Sequence, residues 1–102
     1  MPNPTVFPVD DVNDTVVVVG AGSTLVLAAN GNRVGLDLGN LSDPSELISL
    51  GLGHAAVLGS GKPLTAYGST YHMGTNNLFL GAIYAICASG DMNLAISEEV
   101  EA

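Results

Sequence analysis

The chain has 102 residues, a formal net charge of −8, and only 12% charged residues against 47% hydrophobic ones. This length suits one domain, and so much apolar sequence excludes an intrinsically disordered chain. Two basic residues are too few to neutralise nucleic-acid phosphates, so no nucleic-acid partner is expected. No apolar run approaches the ~20 residues of a membrane span, so no membrane partner is expected either.

Residues 1–14 are predicted to form an extended N-terminal arm, and residues 15–102 a β-sandwich domain. Three prolines in the arm favour an extended backbone. The apolar side chains of the arm are interface candidates, since they would allow it to clasp a neighbouring subunit: Val6, Phe7 and Val9. The alternative is a tail that packs on its own domain or stays disordered in solution.

The first strand of the domain is predicted at Thr15–Val19, where β-branched residues run together. A second strand, Ser23–Ala29, ends at Asn30-Gly31, the strongest short signal for a β-hairpin. We therefore expect the chain to return along Arg33–Leu38, where apolar and polar residues alternate with the period of a half-buried strand.

The next segment, Ser42–Glu46, resembles a helix start with a capping box, but the glycines that follow leave room for at most one turn. Further strands are predicted at Leu47–Leu50, Ala55–Leu58, Ser69–Met73, Phe79–Ala88 and Asn93–Glu98. Short strands at this spacing predict an all-β fold, either a small sandwich or a jelly-roll-like barrel of about eight short strands.

Two glycine clusters resemble nucleotide-binding loops. The stretch Val16–Ser23 resembles the first turn of a dinucleotide-binding fold, but Leu25 stands where the third glycine belongs and no helix pattern follows. The stretch Gly59–Lys62 resembles a phosphate loop, yet Ala56 and Pro63 occupy positions that need glycine and Ser or Thr. Both clusters are therefore predicted to be turns, with no cofactor.

The sequence also shows no arrangement of residues that is typical of a catalytic or metal-binding site. His54 and His72 lack carboxylates at ligand spacing, so no metal site is predicted, although copies in an assembly would be able to share one. Cys87, the only cysteine, lies in an apolar run and is predicted to be a small buried residue. No serine sits in a nucleophile elbow, so the protein is predicted not to be an enzyme.

From Leu25 onward a characteristic order of segments appears. A strand that ends in an asparagine turn and an arginine precedes an alternating strand, a leucine-glycine strand, a glycine turn, a tyrosine strand, a Gly-Ala-Ile strand and a strand ending in glutamate. The segments are Val26–Arg33, Val34–Asn40, Ile48–Gly53, Ala55–Leu64, Tyr71, Gly81–Ile86 and Leu94–Glu98. This order resembles the small β-sandwich modules of tailed-phage virion structural proteins, of the capsid decoration (cement) or head-fibre type.

The resemblance implies a non-enzymatic capsid decoration protein that binds the outer shell of a phage and stabilises it. Such a protein would be made in the host cytoplasm and would end on the capsid surface of the virion. Its partners would be the major capsid protein and further copies of itself, with a homotrimer as the expected oligomer. The alternative is a carbohydrate- or receptor-binding module of a fibre or tail, with Tyr67, Tyr71, Tyr84 and His72 on one open face.

Arg33 is the residue of most interest in this interpretation. We expect it to pair with Asp37 or Glu98, or to donate hydrogen bonds to loop carbonyls. An interface role for Arg33 is the alternative, and Tyr67 and Tyr71 are the remaining interface candidates.

Overall fold

The structure, a computed structural model, describes residues 11–41, 47–65, 68–74, 77–90 and 92–100. These residues contain eight β-strands and no helix. The strands are β1 (Asp11–Val19), β2 (Thr24–Leu27), β3 (Arg33–Asn40), β4 (Ile48–Leu52), β5 (Lys62–Leu64), β6 (Thr70–Met73), β7 (Ile83–Cys87) and β8 (Met92–Val100).

The strands form two four-stranded sheets in which every neighbouring pair is antiparallel. Sheet A has the order β1-β8-β3-β6, and sheet B has the order β2-β7-β4-β5. Six of the seven connections between consecutive strands therefore pass from one sheet to the other, and this is the strand order of an eight-stranded jelly roll. The prediction of a small all-β sandwich is confirmed.

The core lies between the two sheets and is built from alternate residues of their strands. Because successive side chains of a strand point to opposite faces, one apolar residue in two is enough to fill it. The buried hydrophobic cluster comprises Val19, Val26, Leu36, Leu38, Ile48, Leu50, Leu64, Met73, Ile83, Ala85, Cys87, Leu94 and Ile96. Cys87 is fully buried there, as its apolar run predicts.

The predicted hairpin at Asn30-Gly31 is wrong, because β2 pairs with β7 whereas β3 pairs with β8 and β6. The turn instead carries the chain from sheet B to sheet A. Its backbone closes through an Arg33 N–H that donates to the Asn30 carbonyl at 3.3 Å, and the Asn30 side chain accepts from the Asn32 N–H. Gly31 does not adopt a positive φ, which the usual Asn-Gly hairpin turn requires.

The strand predicted at Ala55–Leu58 is also wrong. Residues 53–60 form a loop that covers the outer side of sheet B, and its backbone bonds to hydroxyl groups instead of to a strand. The Ala56 N–H donates to Ser23 Oγ and the Gly59 N–H donates to Ser49 Oγ, both at 2.9 Å. Gly51 lies beneath this loop, where a Cβ atom would come within 2.6 Å of the His54 carbonyl oxygen.

The N-terminal boundary differs from the prediction as well. Strand β1 begins at Asp11, so residues 11–14, assigned above to the arm, belong to sheet A. The rest of the arm, with Val6, Phe7 and Val9, lies outside the described residues, as do the Ser42–Glu46 capping box and Tyr67. The other seven strand predictions are confirmed, with shifted ends, as β1, β2, β3, β4, β6, β7 and β8, whereas β5 was not predicted.

Candidate functional site

Part of the core-facing side of strand β1 is exposed to solvent. Its side chains at Val17 and Val19 turn toward the core, but Asn13 and Thr15, on the same side of the strand, are exposed. The reason is the length of β2, which faces β1: four residues span about 13 Å, whereas the nine residues of β1 span about 30 Å. The first half of β1 therefore extends beyond the strand that should cover it.

The opposite side of β1 belongs to the outer face of sheet A, which no part of the described chain covers. Val16 and Val18 are 60% and 56% exposed there. Two rows of residues in register cross this face: Val16, Ala95, Gly39 and Thr70 in one, and Asp14, Ser97, Asp37 and His72 in the other. Most of these side chains are small.

A groove of about 310 Å³ lies along β1 and β8, and its lining takes residues from both sides of the sheet. Its lining is Asp14, Thr15, Val16, Ala95, Ile96 and Ser97. It is open and mostly apolar, so it offers an area of contact without the convergent polar groups that orient a small ligand.

The polar row of the face contains one ionisable pair. His72 Nδ1 lies 2.6 Å from Asp37 Oδ1, and both side chains are about half exposed. Across the described ranges, no group of three or more His, Cys, Asp and Glu side chains is placed to hold a metal ion.

Arg33 lies in the interior and is 1% exposed. Its Nε donates to Glu98 Oε2 at 2.8 Å, its Nη1 donates to the carbonyl oxygens of Phe79 and Gly81, and its Nη2 donates to that of Ala28. One side chain thereby fastens two loops to β8, as the sequence predicts. Such burial leaves Arg33 no surface for a partner, so the alternative interface role finds no support.

The aromatic residues do not gather on one face. Tyr71 turns toward the core, and the Lys62 ammonium lies 5.6 Å from the centre of its ring. Tyr84 lies on the outer side of sheet B beside Leu25, and His72 lies on the outer face of sheet A. Lys62, the last residue of the Gly59–Lys62 cluster that is predicted to be a turn, is exposed and begins β5.

The two glycine clusters are turns, as predicted. Gly59 and Gly61 have φ values of 82° and 79°, which favour glycine in tight turns. In the first cluster the Gly20 N–H donates to Thr24 Oγ1, which in turn donates to the Gly22 carbonyl. Strand β2 follows directly, so the helix N-terminus that would hold a pyrophosphate is replaced by a strand.

Sequence reasoning missed the exposed valines of β1. A signal for them exists in Val16–Val19, because four consecutive valines put two apolar side chains on each face of a strand. A strand with one buried face needs only alternate valines, so the run indicates a second apolar face. How much of that face stays exposed depends on the length of β2, which the pattern does not encode.

No family model, curated protein or solved structure matches this chain. Within the described residues, no helix has the length and apolar character needed to cross a membrane. The geometry of β1 and of the outer face of sheet A is therefore what bears on function.

Proposed function

We propose that the protein is a non-enzymatic structural component of a tailed-phage virion, most specifically a capsid decoration protein. In this proposal the outer face of sheet A binds the shell and stabilises it. The observation that carries the proposal is the exposure of Val16 and Val18 on the outer face of sheet A, which no part of the described chain covers. Contiguous exposed apolar surface of this kind marks a site of protein interaction.

The chemistry of the face supports a protein surface as the partner. Small-molecule sites are concave and bury most of their ligand, whereas the rows through Val16 and Asp14 lie on one exposed side of an antiparallel sheet. The charged side chains there include Asp14 and Asp37, and the chain carries a net charge of −8. A complementary partner surface is therefore apolar with basic groups at its margin.

The interior of the domain supports a rigid structural role. Arg33 and Glu98 are buried, and every described buried polar side-chain atom has a hydrogen-bond partner. Satisfied buried networks stiffen a domain, which suits a protein that braces a shell. The jelly-roll topology is compatible with this role but does not assign it, since viral capsid domains and lectins share it.

In this proposal the assembly is a phage virion, and its support is the resemblance of residues 25–98 to phage virion modules. The partners are the major capsid protein and further copies of the chain, and the protein resides on the virion surface. A carbohydrate- or receptor-binding role in a fibre or tail is less well supported, because Tyr71, Tyr84 and His72 lie on different surfaces.

The experiment is co-sedimentation of the purified protein with capsids of the phage that encodes it. The unmodified protein should pellet with capsids, and mass spectrometry should find it in purified virions. Val16→Glu and Thr70→Glu, at the two ends of one row of the outer face, should each weaken binding at least tenfold.

Val57→Glu is the matched control, because Val57 is as exposed as Val16 but lies on the loop that covers sheet B. It should bind as the unmodified protein does. Failure of the unmodified protein to pellet, together with its absence from virions, would refute the proposal. Equal loss of binding in Val57→Glu would place the docking surface elsewhere than on sheet A.

A further inference from the structure

We propose that the outer face of sheet B binds the same face of a second copy in a twofold dimer. The contact consists of two exposed turn residues, Val57 and Leu58, and of the neighbouring pair Leu25 and Tyr84 on the sheet. This face lies on the opposite side of the sandwich from the outer face of sheet A, so the inference goes beyond capsid docking and does not rest on it.

Two hydroxyl groups hold the covering loop, residues 53–60, on the outer face of sheet B. The Ala56 N–H donates to Ser23 Oγ and the Gly59 N–H donates to Ser49 Oγ, both at 2.9 Å. Ser23 directly precedes β2 and Ser49 lies in β4, with β7 between these two strands. The covering loop therefore crosses β7 and forms a ridge on the sheet.

The top of this ridge is a tight turn that presents two apolar side chains to solvent. The Ser60 N–H donates to the Val57 carbonyl at 3.0 Å, and Gly59 has the positive φ that the third residue of a type II turn requires. Val57 and Leu58 are 61% and 45% exposed. Because both sides of the ridge are hydrogen-bonded to the sheet, these side chains are held in place away from the core.

A recess lies beside the ridge on the same face. Tyr84 in β7 pairs with Leu25 on one side and with Gly51 on the other. The loop covers Gly51, where an added Cβ atom would come within 3.0 Å of the Ala56 Cα atom, but it leaves Leu25 52% exposed. The Leu25 end of this row is therefore lower than the ridge by the thickness of the loop.

A ridge and a recess on one face allow two copies to fit each other. In a twofold contact every residue pair occurs twice, because the same patch of both copies is used. Leu58 of each copy then packs against Leu25 and Tyr84 of the other. The exposed apolar side chains on both faces are thereby removed from water together.

The charges of the described chain are on the other sheet. Outside the strands of sheet A, Lys62 is the one Lys, Arg, Asp or Glu side chain in the described ranges. Lys62 pairs with the core-facing Leu50, and its ammonium lies over the Tyr71 ring, so it is directed away from the outer face of sheet B. The acids that the structure describes all lie in sheet A: Asp11, Asp14, Asp37, Glu98 and Glu99.

This distribution favours a second copy as the partner. Each copy carries a net charge of −8, so a contact through sheet A would bring the acids of two copies together. A contact through sheet B separates the two copies of sheet A by three intersheet spacings of about 10 Å each, well beyond the screening length of roughly 8 Å. A basic partner, in contrast, finds no described carboxylate on this face.

The contact gives a dimer in place of the trimer expected from the sequence. It leaves the two outer faces of sheet A on opposite sides, so only one of them can contact a given shell. Loss of the dimer should therefore leave capsid docking unchanged, and Val57→Glu should dissociate the copies while still pelleting with capsids. The two proposals can thus fail separately.

Light scattering and sedimentation test the surface. We expect a dimer for the unmodified protein, more populated at higher salt because screening reduces the repulsion between copies. Leu25→Glu should raise the dissociation constant at least tenfold. Val18→Glu is the matched control, because Val18 is 56% exposed but lies on sheet A, and it should dimerise normally. Circular dichroism checks that both variants are folded.

Cysteine cross-linking tests the fit of ridge and recess. A mixture of Leu58→Cys and Leu25→Cys should form a disulfide between copies at least tenfold faster than a mixture of Leu58→Cys and Val18→Cys. Mass spectrometry identifies the linked peptides. Native Cys87 is buried and should contribute no background.

Four outcomes would overturn the inference. They are a monomeric or trimeric mass for the unmodified protein, equal cross-linking in the two mixtures, equal dissociation by Val18→Glu, and dissociation by added salt. Phe7→Glu should leave the dimer intact, and its dissociation by that substitution would assign self-association to the N-terminal arm instead of sheet B.

Discussion

Arg33 and Glu98 form an ion pair inside the sandwich, with the guanidinium Nε donating to Glu98 Oε2 at 2.8 Å. The Arg33 side chain is fully shielded from water, and that of Glu98 is 9% exposed. Burial of two charges is costly, and the pair is tolerated because the guanidinium also donates to three loop carbonyls. The pair thus holds two loops, each of which connects the two sheets, against the last strand.

Replacing Arg33 should therefore cost much stability. Arg33→Met leaves the buried Glu98 carboxylate and three carbonyls without their donor, and we expect a loss of about 3–5 kcal/mol in the free energy of unfolding. Urea denaturation followed by circular dichroism measures it, since the chain has no tryptophan.

Lys62→Met is the control for loss of a cation. Lys62 is exposed and its ammonium lies over the Tyr71 ring, so about 0.5–1 kcal/mol should be lost. Equal losses in the two variants would mean that the Arg33 network does not brace the fold.

Gly61 and Gly59 form a second matched pair. Both have a positive φ, which costs a non-glycine residue roughly 1–2 kcal/mol, but only at Gly61 would an added Cβ collide with the Leu50 carbonyl. Gly61→Ala should therefore destabilise by about 1–3 kcal/mol more than Gly59→Ala. Urea midpoints for the two variants test this, and identical midpoints would show that the backbone of β4 yields to the methyl group.

The exposed Asp37–His72 pair should contribute little to stability. A double-mutant cycle with Asp37→Ala and His72→Ala should give a coupling energy below about 1 kcal/mol, because solvent and salt screen exposed pairs. The same cycle on Arg33 and Glu98 should give a clearly larger coupling. A large coupling at His72 would indicate that another subunit shields this face from water.

Cys87 should react with thiol reagents only when the sandwich opens. It is fully buried, and its Sγ lies 3.3 Å from the Val19 carbonyl oxygen. Labelling by a chromogenic disulfide reagent should be very slow in buffer and should accelerate with urea as the opened population rises. The Val18→Cys variant provides the comparison, with one exposed thiol that reacts at once. Rapid reaction of Cys87 in the unmodified protein would contradict the described packing.

Sequence patterns predicted the positions of individual strands better than they predicted which strands pair with each other. The alternation at Val34, Leu36 and Leu38 identified β3, because one buried face imposes a period of two. Asn30-Gly31 predicted a hairpin because a turn signal is local, whereas the partner of β3 is chosen by burial between distant segments. The apolar stretch Ala55–Leu58 was mistaken for a strand. It is a loop that is held over sheet B by hydrogen bonds to the hydroxyl groups of Ser23 and Ser49, and an apolar pattern does not encode such bonds.

The candidate site was predicted only in part. Arg33 was recognised because a lone arginine in an apolar domain needs acceptors, and Glu98 and loop carbonyls were among those expected. The exposure of Val16 and Val18 was not predicted, since it follows from the mismatch in length between β1 and β2. A length mismatch between elements of different sheets leaves no trace in either segment alone.

The pairing of the first strand with the last has a consequence for biosynthesis. Strand β8 lies between β1 and β3, so during translation β1 has no partner within sheet A until the final described segment leaves the ribosome. The valine-rich strand β1 is therefore without its partner β8 through most of synthesis. Pairings between segments that lie far apart in the sequence also form slowly. Premature termination before Met92 would remove the strand on which both β1 and β3 depend, and would release an aggregation-prone fragment.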